Sequence, residues 1–346
     1  MSNFLCTAVV FGLLAASLCV WAGVIWRWSR GTPAVDFESA DIPLWGLVDV
    51  LLAIALLFMF TSMATHVLNE QFDVAPGVSL EKLSLEYHRW YISALALASL
   101  ATLVTTAGAV MLRCGVSLRG LGFVPQTAWR DVCLGAKAFL ALAPPVYVLQ
   151  YLLVQWVDSK HPMVELLRKH HDPWLMLAGL GSAVVVAPLF EEFLFRGLFQ
   201  GWLEKLVSRA GHAARVVFAE EEERQDFDVP GHPDHREGAP PRDEPHGELN
   251  TDAAPDGGDA EPRESDARDM AAVPSGFAGY LPIVASSALF AALHVSHGPD
   301  WVPLFVLALG LGYLYRQTHR LLPCITVHVL LNGCSMGMFL LELQRL

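Results

Sequence analysis

The stretch Val184–Phe199, VVVAPLFEEFLFRGLF, decides how this chain folds. It is apolar from end to end except for Glu191, Glu192 and Arg196. A charge at the centre of a bilayer costs a few kcal/mol or more. Three of them in one greasy segment need partners or a use. Glu192 and Arg196 stand four apart with the acid first, the favourable order for a helical ion pair. Glu191 lies about 100° round the helix from Glu192. It is not aligned with Arg196, so one glutamate can be architectural while the other keeps an available carboxylate.

Outward from this stretch the chain reads as a membrane protein. Hydrophobic residues make up 53% of 346 and charged residues 17%. The apolar residues come in blocks near the ~20-residue length that a span needs. The blocks run Phe4–Trp26, Pro43–Thr65, Trp90–Leu112, Val132–Trp156, Trp174–Leu206, Phe277–His294, Trp301–Tyr315 and Leu321–Leu343. The expected fold class is therefore all-α, a polytopic membrane bundle of about eight transmembrane helices. Residues 1–131 form N-terminal membrane helices, and residues 132–346 form the core that carries the motifs.

Block one has no Lys or Arg before Arg27, so it reads as a retained helix rather than a secretory signal. Loops after the odd-numbered helices carry 15 Lys/Arg against six on the other side. Eight of the 15 fall in one long loop, where the positive-inside rule is weak, which leaves seven against six. The expectation is a multi-pass protein of the cell membrane with its odd-numbered loops in the cytoplasm.

The formal charge of −12 is concentrated in one place. Glu220–Asp269 holds 18 acids and five bases, a net of −13, so the remainder is about +1. The surrounding segment 219–275 is rich in Pro, Gly, Asp and Glu and poor in aliphatics. It is expected to be a disordered acidic insert on the cytoplasmic side. His232, His235 and His246 within it are read as part of a solvated tether. The six cysteines form no C-x-x-C pair and lie in or beside apolar blocks, so they are read as buried free thiols. Asp49 is an acid a few residues into its helix, with interfacial placement favoured over catalysis. Arg113, Arg119 and Arg130 are expected at headgroup level, with Trp129 as an interfacial anchor.

Two further apolar segments repeat the pattern of isolated polar groups. FAALH puts His294 four residues after Phe290, and HVLLN puts His328 and Asn332 four apart on one face. Such groups in lipid are expensive unless they meet partners. The economical arrangement gathers Glu191, Glu192, Arg196, His294, His328 and Asn332 into one pocket. Glu191 precedes Lys205 by 14 residues and His294 follows Phe277 by 17, so their depths agree. His328, eight residues past Arg320, looks shallower.

In order, E-E-x-x-x-R, F-x-x-x-H and H-x-x-x-N resemble the CPBP family of intramembrane endopeptidases, the type II CAAX prenyl proteases and the bacteriocin-immunity (Abi) proteins. The resemblance covers about Pro173–Gly333. It implies that Glu191 activates water as general base and that His294 helps bind or polarise that water. It implies that His328 and Asn332 bind the developing oxyanion, while Glu192 and Arg196 hold the architecture. Glu191, His294 and His328 could alternatively form a His₂Glu zinc site, making the enzyme a metalloprotease. No H-E-x-x-H is present. His297 is a further ligand candidate, with an interfacial histidine the plainer reading. The expected partners are the bilayer and a membrane-embedded or lipidated peptide, with no nucleic acid. The long acidic insert departs from the family pattern and puts a prenylated C-terminus in doubt as the substrate.

Two readings compete with a hydrolase. One is a non-enzymatic scaffold or immunity protein that uses the same pocket for binding. The other is a transporter, disfavoured because no broken-helix pair recurs in two halves.

Overall fold

The computed structural model describes residues 2–39, 43–157, 162–213 and 277–343. The chain divides into two compact units, Met1–Lys205 with Ser275–Leu346, and Leu206–Pro274. Of the second, residues 206–213 are described and are helical. The acidic insert, with its three histidines, lies outside the described residues.

Among the described residues the structure consists of helices and the loops that join them, with no strand. In chain order the helices are α1 (Ser2–Ser29), α2 (Leu47–Gln71), α3 (Leu85–Cys114), α4 (Ala128–Val154), α5 (Pro162–His170), α6 (Pro173–Ala213), α7 (Leu281–Ala292), α8 (Trp301–Thr318) and α9 (Leu321–Leu343). Six of them, α1–α4, α6 and α9, are long and apolar enough to cross a membrane. The protein is an all-α polytopic bundle, as the block pattern implies. The eight apolar blocks all became helices, but two fall short of the six. α7 has 12 residues, about 18 Å at 1.5 Å per residue, against a hydrocarbon core of about 30 Å. α8 has 18 residues and carries Arg316 in its last turn. The short α5 is an addition that no apolar block announced.

Local sequence fixes several helix starts. Ser84 Oγ accepts the Tyr87 N–H at the start of α3. Asp172 caps α6 by accepting the Leu175 N–H at 2.8 Å, with Pro173 at the first helical position, where its missing N–H costs nothing. Arg89 on α3 grips the same carboxylate through Nε at 2.9 Å and Nη2 at 2.5 Å. These Arg89 hydrogen bonds hold the Asp172 carboxyl below the usual carboxylate range.

Asp49 is only 1% exposed and its carboxylate accepts the Gly46 N–H at 2.8 Å. Both its oxygens are also taken by the Arg113 guanidinium of α3. Arg113, in the last turn of α3 and 53% exposed, is thus also a partner across the α2–α3 interface. This pairing gives Asp49 a structural role. Trp129, at the start of α4, is 77% exposed.

The core forms where α4, α6, α7, α8 and α9 meet, around Phe139, Phe193, Leu198, Phe290, Leu307, Leu311, Leu321 and Val327. α4 and α9 approach so closely that a Cβ on Gly135 would stand 2.6 Å from the Pro323 carbonyl oxygen. α1 leans on α4, with Trp21 Nε1 donating to the Ala141 carbonyl at 3.2 Å. The five cysteines described, Cys19, Cys114, Cys133, Cys324 and Cys334, are free thiols, although Cys19 is exposed rather than buried.

Candidate active site

The glutamates sit in an unusual helix. α6 widens twice into π-helical turns, at Ser182–Val186 and Phe193–Gln200. Ala187–Glu192 between them is α-helical. Such turns are rare and are frequent at functional sites. Pro188 supplies a cause for the first. In that turn the Ala187 N–H bonds the Ser182 carbonyl, five residues back. The next bond of the series would run from residue 188 to the Ala183 carbonyl, and proline has no N–H to give. Asn332 of α9 supplies the missing donor, its Nδ2 reaching the Ala183 carbonyl at 2.9 Å. The second π turn is also gripped from outside. Ser286 Oγ of α7 donates to the Phe195 carbonyl at 3.0 Å, and Trp45 Nε1 to the Leu198 carbonyl at 3.1 Å.

Glu192 and Arg196 pair as their spacing implies, deep in the core at 0% and 1% exposure. Arg196 Nη1 donates to Glu192 Oε1 at 3.2 Å, and Nε lies 3.1 Å from Oε2 at ion-pair distance without hydrogen-bond alignment. The guanidinium carbon also sits 4.9 Å over the Phe290 ring. A buried carboxylate thus meets a cation, and that cation meets the negative face of an aromatic ring.

His328 joins this pair despite its shallower position in the sequence. Its Nδ1 lies 2.7 Å from Glu192 Oε1 and its Nε2 lies 3.7 Å from Glu191 Oε2. Glu192 therefore takes two donors, and His328 stands between the two glutamates. Glu191 keeps 24% of its side chain exposed, whereas Glu192 is fully buried. The offset of about 100° thus separates a buried carboxylate from an accessible one.

His294 differs from the expectation in its setting. α7 ends at Ala292, and His294 stands just beyond it, at the head of the 3-10 turn Val295–His297. The chain then bends at Gly298, whose φ of 93° suits glycine. His294 Nδ1 lies 2.8 Å from the Phe290 carbonyl. A carbonyl only accepts, so Nδ1 carries the proton, and the lone pair of the neutral ring is on Nε2. The backbone of His297 belongs to the same turn. Its ligand role concerns a side chain outside what the structure describes.

Sequence reasoning gave Phe290 no role beyond its place in the F-x-x-x-H motif, and it passed over other residues that shape this site. Phe290 is fully buried, and its ring centroid lies 4.7 Å from that of His294 and 6.1 Å from that of His328. Tyr147 Oη donates to the Leu331 carbonyl at 2.9 Å, beside Asn332. Pro188, two residues before the glutamates inside an apolar helix, was the readable sign of the first π turn. Nothing in the sequence marked Ser286 or Trp45.

Among the described residues, no group of three or more His, Cys, Asp and Glu side chains could hold a metal ion. Glu191, His294 and His328 do not form such a set here. A cavity of about 460 Å³ is lined by residues of α3, α5 and the turn before α3, with Ser182 of α6 at its edge. His88, Tyr91 and Leu95 border it, and none of the six motif residues does.

Residues 270–334 match the model of a protein family described as type II CAAX prenyl endopeptidase Rce1-like. This is the family that the three motifs resemble. The matched segment contains the FAALH and HVLLN motifs, while the glutamates lie outside it. No curated protein and no solved structure matches the chain.

Proposed function

We propose that this protein is an intramembrane endopeptidase that hydrolyses a peptide bond of a membrane-associated substrate through a water activated by Glu191. The observation that carries the reading is the division of labour between adjacent glutamates. Glu192 is buried and committed to Arg196 and His328. Glu191 is accessible and faces His328 Nε2 at 3.7 Å. The family match over residues 270–334 supports the reaction class.

In this mechanism Glu191 takes a proton from water as its oxygen attacks the scissile carbonyl carbon. His294 accepts the second water hydrogen on Nε2, because its Nδ1 proton is held by the Phe290 carbonyl. Charge develops on the carbonyl oxygen. His328, with both ring nitrogens protonated, gives Nδ1–H to Glu192 and directs Nε2–H to that oxyanion. The second N–H of the Asn332 amide adds a donor while the first stays on Ala183. Preorganised donors in a dry site are worth about 3 kcal/mol each in the barrier. Collapse of the intermediate breaks the C–N bond, and Glu191 passes its proton to the leaving amine. The products are an amine and a carboxylic acid, which ionises by losing its proton to solvent, and the glutamate is regenerated.

The substrate we assign is a membrane-embedded or lipidated peptide, with CAAX-type processing as one form of it. We place the protein in the cell membrane with its acidic loop on the cytoplasmic side. The scaffold reading makes the opposite prediction about the site, since a binder tolerates the near-isosteric Glu191→Gln. The test is turnover of a quenched-fluorescence membrane peptide library by purified protein in lipid nanodiscs. Cleavage by the wild type that drops at least 10³-fold in Glu191→Gln supports the proposal. Equal cleavage by the two proteins, or none by either, contradicts it.

A further inference from the structure

Four side chains at intervals of four run down one face of α6. They are Glu192, Arg196, Gln200 and Glu204, with exposures of 0%, 1%, 0% and 4%. The facing helix α8 presents backbone carbonyls at the same interval. Arg196 Nη2 lies 3.4 Å from the Ala308 oxygen, and Gln200 Nε2 donates to the Gly312 oxygen at 2.9 Å. Carbonyl oxygens have two lone pairs, so each can accept a side chain besides its helical N–H. Gln200 Nε2 also donates to Glu204 Oε1 at 2.9 Å, and Glu204 Oε2 lies 3.4 Å from His319 Nε2. Gly312 is what permits the approach. A Cβ there would stand 2.9 Å from Gln200 Oε1 and 2.8 Å from Ile283 Cγ2.

We infer that Gln200 is a positioning residue for the Glu192–His328 pair. The π turn Phe193–Gln200 separates Glu192 from the rest of α6 and ends on Gln200. The contact from Arg196 to α8 is too long to fix that turn alone. Ser286 and Trp45 hold the middle of the turn at the Phe195 and Leu198 carbonyls, and Gln200 fixes its far end with two bonds of 2.9 Å, one across to α8 and one along α6. With its far end anchored, the turn delivers the Arg196 guanidinium to Glu192, and Glu192 in turn holds His328 Nδ1 at 2.7 Å. Gln200 touches neither glutamate of the motif nor either histidine of the site. It acts through Arg196. The catalytic consequence rests on the protease reading, while the geometric one does not.

The experiment uses the full chain in lipid nanodiscs with ¹⁵N-histidine labelling. It compares wild type, Gln200→Leu, Gly312→Ala and, as a packing control, Leu307→Ala. Gly312→Ala displaces Gln200 from the opposite helix and carries the test if Gln200→Leu fails to fold. The expected result is a moved His328 Nδ1 resonance in both test variants. With it go a kcat lowered about tenfold and a KM within twofold of wild type. Leu307→Ala should lower Tm and leave the His328 resonance in place. An unmoved His328 resonance in folded Gln200→Leu or Gly312→Ala overturns the inference, whatever the turnover. If the wild type cleaves nothing, the protease reading fails, and the His328 resonance alone still decides the positioning role.

Discussion

Replacing Arg196 with methionine keeps much of the packing and removes the charge that Glu192 faces. Glu192 is fully buried, and Arg196 approaches it through Nη1 at 3.2 Å and Nε at 3.1 Å. Breaking a buried pair by removing one partner costs about 3–5 kcal/mol, because the remaining charge is uncompensated. The single variant Arg196→Met should be destabilised by about that amount. Glu192→Gln also breaks the pair, but it keeps an oxygen acceptor for His328. In the double variant neither charge of the Glu192–Arg196 pair is left, so a double-mutant cycle should give a coupling of about 2–3 kcal/mol, the upper part of the range for contacting residues. The assay is reversible unfolding in bicelles, followed by steric trapping. Additivity of the two single effects within about 0.5 kcal/mol would refute the argument that the charge of Arg196 is there for Glu192.

Three other outcomes follow from particular contacts. Asn332→Leu leaves the Ala183 carbonyl without its donor and should cost about 1–3 kcal/mol. The cost should shrink in a Pro188→Ala background, where the restored N–H serves that carbonyl, and equal costs in both backgrounds would sink the account of the first π turn. The Asp172 carboxyl is held below its ordinary value by Arg89. Its stabilisation is therefore fully present above the unfolded value of about 3.9 and is lost as pH falls through the lower folded value. Asp172→Asn should flatten the stability curve in that acid window and nowhere above it, as melting temperature against pH would record. Because the described site forms no metal-ligand set, peptide cleavage should persist within twofold after exhaustive dialysis against a chelator. Loss restored by added Zn²⁺ would favour the zinc alternative.

The parts legible in the sequence were those governed by a single helix. Apolar block length gave the helices, and spacing by four gave Glu192 with Arg196. Spacing by one separated Glu191 from both. Contacts between helices were harder, because spacing says nothing about depth or rotation. His328 looked too shallow for the glutamates, yet it lies between them. Asp49 and Arg113 read as separate groups near the interface and are paired across two helices, with Asp49 buried and Arg113 half exposed. His294 read as intrahelical and stands past the end of a helix too short to cross the bilayer. The π turns were hidden for a different reason. They arise from a competition among backbone bonds in which Pro188 removes one donor and side chains from other helices supply replacements. That outcome depends on tertiary contacts which the local pattern does not encode.

The central claim is that Glu191 performs hydrolysis on a membrane substrate. Its most direct test compares the termini of membrane proteins in cells carrying the wild type or Glu191→Gln at equal abundance. The account predicts new termini in the wild type that are absent from Glu191→Gln cells. Identical termini, with the wild-type phenotype preserved in the variant, would contradict it and leave both glutamates as architecture.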